Sequence, residues 1–219
     1  MRKITYLVLP ILILVFISCS KEMSMSDIEI SERSDYDIFM YNGNKFTGEI
    51  NDYYQNGTYS KNFSTENGLI NGKFKSFDED ENLIELSNYK EGKLHGEYKK
   101  YYPNGNLFQL RRYNEGTLHG EEKSYYQNGN MWASKTYKNG KRDGKMIDFY
   151  QNGQMRSALP YKDGKLHGMQ IEYHENGEIY FILTHIEGKR HGSWLVFNND
   201  GDITRHILYK DDNELKIID

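Results

Sequence analysis

Residues 89–105 read YKEGKLHGEYKKYYPNG, and the chain keeps rewriting them: YNEGTLHGEEKSYYQNG at 113–129, YKNGKRDGKMIDFYQNG at 137–153 and YKDGKLHGMQIEYHENG at 161–177. A looser copy runs from His185 to Gly201. The period does not drift. Gly48, Gly72, Gly96, Gly120, Gly144, Gly168 and Gly192 each follow the one before by 24 residues. A fixed period of this length marks a repeat array, in which each unit packs on its neighbours.

All but one of the 20 glycines fall in three columns of the repeat, and Gly43 alone is displaced. Between those columns lie glycine-free stretches rich in Tyr, Phe, Ile and Leu. Glycine as punctuation between β-formers predicts strand, turn, strand, turn, so each unit is two antiparallel strands. Pro103-Asn104-Gly105 suits a three-residue hairpin loop: proline takes the first position of a type I turn and glycine the left-handed one. This loop sets Tyr101 opposite Leu107. It places the column Tyr53, Phe77, Tyr101, Tyr125, Phe149, Tyr173, Phe197 on one face with Tyr59, Leu83, Leu107, Met131, Met155, Ile179, Ile203. By parity Tyr89, Tyr113, Tyr137, Tyr161 and Tyr209 join that face. The second turn, Glu91 to Gly96 and its copies, reads as longer and more polar.

The fold class that follows is all-β: an elongated antiparallel β-meander of about seven hairpin repeats, mostly a single layer. The expected domains are a signal peptide over 1–18, a lipidated N-terminus and flexible linker over 19–36, and the repeat domain over 37–219. The leader opens with Arg2 and Lys3 and continues as an apolar run from Ile4 to Ile17, too short for a spanning helix and suited to a secretory signal. It ends at Phe16-Ile17-Ser18-Cys19, which resembles the lipobox of bacterial lipoproteins and marks Cys19, the only cysteine, for lipidation. That implies a membrane-attached lipoprotein of the cell envelope, periplasmic or surface-exposed.

Formal charge is −4, with no long basic run, which argues against nucleic acid as partner. His95, His119, His167 and His191 share one column, but column neighbours sit two strands apart, about 9.6 Å, too far to share a metal. They read as polar turn residues. Asp78 to Glu81 lacks the ligand spacing of a calcium loop and reads as a solvated turn. No nucleophile constellation or phosphate-cradling loop appears, so the chain reads as a non-enzyme with no cofactor.

The Tyr-x-x-Gly-Lys-x-x-Gly and Tyr-Tyr-x-Asn-Gly elements resemble the bacterial variant of the MORN repeat, over about Tyr41 to Asp211. The resemblance implies a β-meander of hairpins and a likeness to the YwqK family of toxin–antitoxin antitoxins. Three functions are compatible: a lipid-anchored scaffold for a protein partner, an envelope glycan-binding module, or a neutralising antitoxin-type protein. The binding face is expected opposite the two invariant columns, on Tyr102, Phe108, Tyr126, Trp132, Tyr150 and Tyr180. The turn glycines Gly48 to Gly192 are expected to be structural, those in the middle of the array more critical than those at its ends.

Overall fold

The computed structural model describes residues 21–32 and 37–218. The segment expected to be a signal peptide and Cys19 lie outside the described residues. A large sheet runs in chain order from Gly48–Tyr53 to Asn213–Ile217, each strand pairing antiparallel with the next. Each unit is one hairpin, as Lys93–Tyr101 and Leu107–Asn114 show. At its N-terminal edge Glu22–Ser24 pairs in parallel with Gly48–Tyr53. A separate three-stranded sheet, Glu29–Glu32, Asp37–Tyr41 and Asn44–Lys45, lies beside it.

The Asn-Gly loops are the three-residue loops that the sequence predicts. Tyr102 N–H donates to Asn106 O at 2.8 Å, Gly105 N–H donates to Tyr102 O at 2.9 Å, and Gly105 has φ +82°. The other turn differs from the expectation of a long polar loop. Glu91 and Gly92 both have positive φ, +49° and +79°, and Lys90 pairs with Lys93, which makes a tight two-residue type I′ hairpin. The remaining polar residues, His95 and Gly96, sit in a bulge just beyond it.

A second bulge corrects the assignment of faces. Tyr101 pairs with Leu107, but Lys100 pairs with Gln109, so Phe108 is extra. The same slip recurs after the corresponding loop of every other unit, at Ser60, Ile84, Trp132, Arg156, Tyr180 and Thr204. One inserted residue reverses the parity of everything beyond it. The first two invariant columns do share a face, but Tyr113 pairs with Gly96 on the opposite face. The column of Tyr89, Tyr113, Tyr137, Tyr161 and Tyr209 therefore lies against the glycines, not with the other two.

Burial distinguishes the two faces. The fully buried side chains Ile50, Ser87 and Ser124 all project from the face opposite the two invariant columns, where long neighbours lean over short ones. We term this the inner face. The invariant columns occupy the outer face, which carries the exposed Tyr53, Tyr59, Met155, Met169 and Ile203.

The segment read as a linker takes up regular structure over residues 21–32. Met23, Met25 and Ile28 pack against a cluster of Phe39, Phe46, Ile50 and Phe63. An apolar residue finds burial there because the hairpin around the displaced Gly43 leaves the large sheet and covers the inner face of the first unit. A second cluster, Leu183, Ile207 and Tyr209 with Phe181 and Trp194, closes the C-terminal units.

Candidate interaction surface

The consensus residues are occupied by contacts between units. The second aromatic of each Tyr-Tyr pair donates its hydroxyl to the carbonyl 23 residues on: Tyr54 to Phe77 at 2.8 Å, Tyr102 to Tyr125 at 2.8 Å, Tyr126 to Phe149 at 3.0 Å, Tyr150 to Tyr173 at 2.7 Å. Loop asparagines add a second bridge, Asn106 Nδ2 to Gln127 O at 2.8 Å and Asn130 Nδ2 to Gln151 O at 3.0 Å. The histidine column supplies a third. His95 Nδ1 accepts from Glu115 N–H and His167 Nδ1 from Glu187 N–H, each at 3.5 Å; Asp143 and Asn71 do the same to Asp163 and Glu91. Each such bond satisfies the left-handed residue of the next type I′ turn. One place in the ladder departs from this. Asp78 stands where the Tyr would be and turns its carboxylate into its own loop, accepting from Asn82 Nδ2 at 3.1 Å and from the backbone N–H groups of Asp80 and Asn82. Those bonds hold its carboxyl below the usual range, the Asn82 side-chain amide contributing most and its backbone N–H next.

Of the six expected binding residues, Tyr102, Tyr126 and Tyr150 thus serve the ladder. Phe108, Trp132 and Tyr180 are the bulge residues. Phe108 packs on Tyr102 with ring centroids 5.0 Å apart, Lys135 lies over Trp132 at 5.6 Å, and Tyr180 packs at a tilt against His174 at 4.9 Å. All six border the inner face; Tyr180 alone is well exposed, at 43%. Among the described residues, no three histidines, cysteines or carboxylates approach closely enough to hold a metal ion.

In the central units the inner face is polar. Glu122 is buried between Arg111 and Lys135, its two oxygens 3.0 Å from Arg111 Nε and 3.3 Å from Lys135 Nζ. One unit earlier Tyr98 donates to Glu85 at 3.1 Å. Burial, then the Glu85 carboxylate, push the Tyr98 phenol up to about 12, so it stays a donor at any physiological pH. Asp148 is buried with Ser157 donating to Oδ2 at 3.0 Å, while Oδ1 has no partner among the described residues.

The outer face is the more accessible one. Between the fifth and sixth hairpins Ile147, Met155, Ala158, Leu159, Pro160, Met169, Ile171 and Tyr173, with Lys145 beside them, line a shallow groove of about 290 Å³. Met169 is 55% and Met155 36% exposed. Open apolar surface of this kind marks contact sites.

The MORN repeat variant matches five consecutive stretches, residues 70–91, 94–115, 118–139, 142–163 and 166–187. The chain belongs to this family. No curated protein matches it. Each stretch spans one hairpin and its loop, Asn-Gly in four of the five, so the residues that recur across the matched stretches are largely the bridges between units. The surface that differs from unit to unit lies elsewhere, in the inner polar ladder and the outer groove. Sequence reasoning missed both. Partners such as Arg111 and Glu122 could have been paired once the bulge at Phe108 was known.

Proposed function

We propose that the chain is a non-catalytic binding protein of the cell envelope, held at a bacterial membrane by a lipid on Cys19, whose outer face engages a protein partner. The observation that carries the reading is the accessible methionine-lined groove, an apolar stretch on a sheet face that elsewhere carries ion pairs such as Lys99–Glu97 and Lys123–Glu121 beside its aromatic column. Methionine is flexible and polarisable, and is favoured at surfaces that adapt to a partner. The lipobox at Phe16 to Cys19 supports the anchoring.

The test is capture of partners from a detergent extract of envelopes, with wild type and Met155→Glu/Met169→Glu compared. A partner retained by wild type and lost by the folded double variant supports the reading. Equal capture by both sinks it, and co-sedimentation with purified peptidoglycan by both would favour a glycan module instead. Anchoring is checked separately: Cys19→Ser should leave the membrane fraction, and unchanged fractionation would dispose of the lipoprotein reading.

A further inference from the structure

In every interior unit the segment after the Asn-Gly loop has a strand on both sides. Gln109 pairs with Lys100 in its own hairpin and with Ser124 of the next. Ser157 likewise lies between Asp148 and Glu172, and Phe181 between Glu172 and Val196. The last unit repeats half of this. Ile203 pairs with Phe197 and Arg205 with Val196. The following strand, however, pairs only with Ile207–Lys210, and its last bond runs from Ile218 N–H to His206 O at 2.8 Å. Among the described residues nothing pairs with the second side of Ile203 to Arg205. Ile203 is 57% exposed, whereas Ile179, one unit earlier in the same column, is half-buried. A cleft of about 470 Å³ opens there, lined by Ile203, Thr204, Arg205, His206, Ile217 and Ile218.

We propose that this notch binds an extended segment of a partner protein, added as a further strand, whose sequence is an acidic residue followed by two aromatics. The site continues an interface the molecule already makes between its units, and that interface states what it accepts. The residues that fill the corresponding place run from Ser76-Phe77-Asp78 to Val196-Phe197-Asn198: the second is always a ring, four of the six have a ring third, as in Asp148-Phe149-Tyr150, and the first varies with what it faces, as Lys100 does opposite Glu85. Charge selects among them. The residue facing the first position is Gln109 opposite Ser124 and Ala133 opposite Asp148, but in the notch it is Arg205, exposed and carried over the Trp194 ring at 5.7 Å. A guanidinium at that point favours a carboxylate. The first ring then covers Ile203. Strand addition supplies affinity through the backbone and specificity through alternate side chains.

The inference rests on reading the chain as a binding module and places a second contact away from the Met155–Met169 groove, so the two fail separately. The probe is the acetylated, amidated pentapeptide IDFYQ, a copy of residues 147–151. Titrated into the isotope-labelled full chain in detergent, it should shift the backbone amides of Ile203 to His206 and of Ile217 and Ile218, with Kd of about 1 mM or tighter. Arg205→Glu should weaken binding about tenfold, and the peptide with Lys in place of its Asp should recover it. Ile203→Asp, at an exposed position, should abolish binding without moving the melt. Met155→Glu/Met169→Glu should bind the peptide as wild type does. Absence of shifts, indifference to Arg205→Glu, or loss of binding in the methionine variant would each overturn the assignment.

Discussion

Ile50 and Glu122 stand at the same position of the repeat, three units apart, and both are buried, at 0% and 4% exposure. Around Ile50 the inner face is aromatic: Phe39 and Phe63 meet at 5.2 Å, Phe63 and Phe74 at 5.5 Å, and a second small sheet covers them. Around Glu122 the same face has two cations and no covering layer of its own. The backbone scaffold is common to both, because the bridges run through consensus residues at its two rims. The middle of the inner face is thereby free to vary between oil and charge. What differs is how each region fails. An apolar core loses contacts and leaves a cavity, whereas a buried ion pair that loses one partner leaves a charge unpaired.

Exchanging the two residues is the strongest way to break the comparison. Ile50→Glu buries a carboxylate among phenylalanines and should cost about 4 kcal/mol or more, enough to unfold the first units. Glu122→Ile leaves Arg111 and Lys135 facing each other; both are partly solvated, and the loss should be about 2 kcal/mol. Arg111→Leu/Glu122→Ile/Lys135→Leu should recover it. Urea denaturation of the three variants gives the order, and an Ile50→Glu protein as stable as Glu122→Ile would erase the distinction.

The glycine column sharpens it. A Cβ on Gly48 would collide with the Lys21 carbonyl and lie 2.7 Å from Phe46 Cζ, whereas on Gly120 the nearest atoms are 3.9 Å away. Gly48→Ala should therefore cost about 3 kcal/mol, by expelling the Glu22–Ser24 strand. Gly120→Ala has only its left-handed φ of +91° to overcome, at about 1 kcal/mol. The end glycine should outweigh the central one, the reverse of what a bare linear stack implies, because a cap is packed on it. Equal shifts in melting temperature would contradict this.

A smaller, pH-dependent effect belongs to the C-terminal units. His185 is 6% exposed in the column where five of the other six units have Tyr and the first has Thr65. Burial lowers its pKa; Asp212 opposes this and Arg190 adds to it. With the folded value below the unfolded one, the neutral ring contributes its full stability above about pH 6.5, and that contribution is lost as pH falls through the folded value. The melting temperature should decline more steeply between about pH 6.5 and 5 in wild type than in His185→Gln. Parallel profiles would remove His185 as the cause.

Periodicity and glycine placement made the hairpins and the three-residue loops legible, since both rest on local backbone preference repeated many times. The bulge was not. Phe108, Trp132, Arg156 and Tyr180 share no residue type, so nothing at that position announces an extra residue, and every face assignment beyond it inverts. The type I′ turn was masked by Glu91, Glu115 and Glu187, although Asn67-Gly68, Asn139-Gly140 and Asp163-Gly164 carry its usual signature. Residues 21–32 looked like a tether because their apolar side chains are few. Their partners, Phe39 and Phe46, come from the hairpin that the displaced Gly43 sets apart.

Asp78 has a mechanical consequence. The strands run across the direction in which units accumulate, so tension between the two ends of the array peels one hairpin from the next instead of shearing a long strand. Against peeling, each junction resists with its backbone ladder and with the Tyr and Asn bridges that cross it. At the junction that Tyr102 or Tyr126 spans, a hydroxyl must also be pulled off. At the junction between the hairpin of Asp78 and that of Tyr101, the carboxylate is bound inside its own loop and adds nothing. Extension of the array should begin at that seam, separating a capped N-terminal block from the five hairpins that follow.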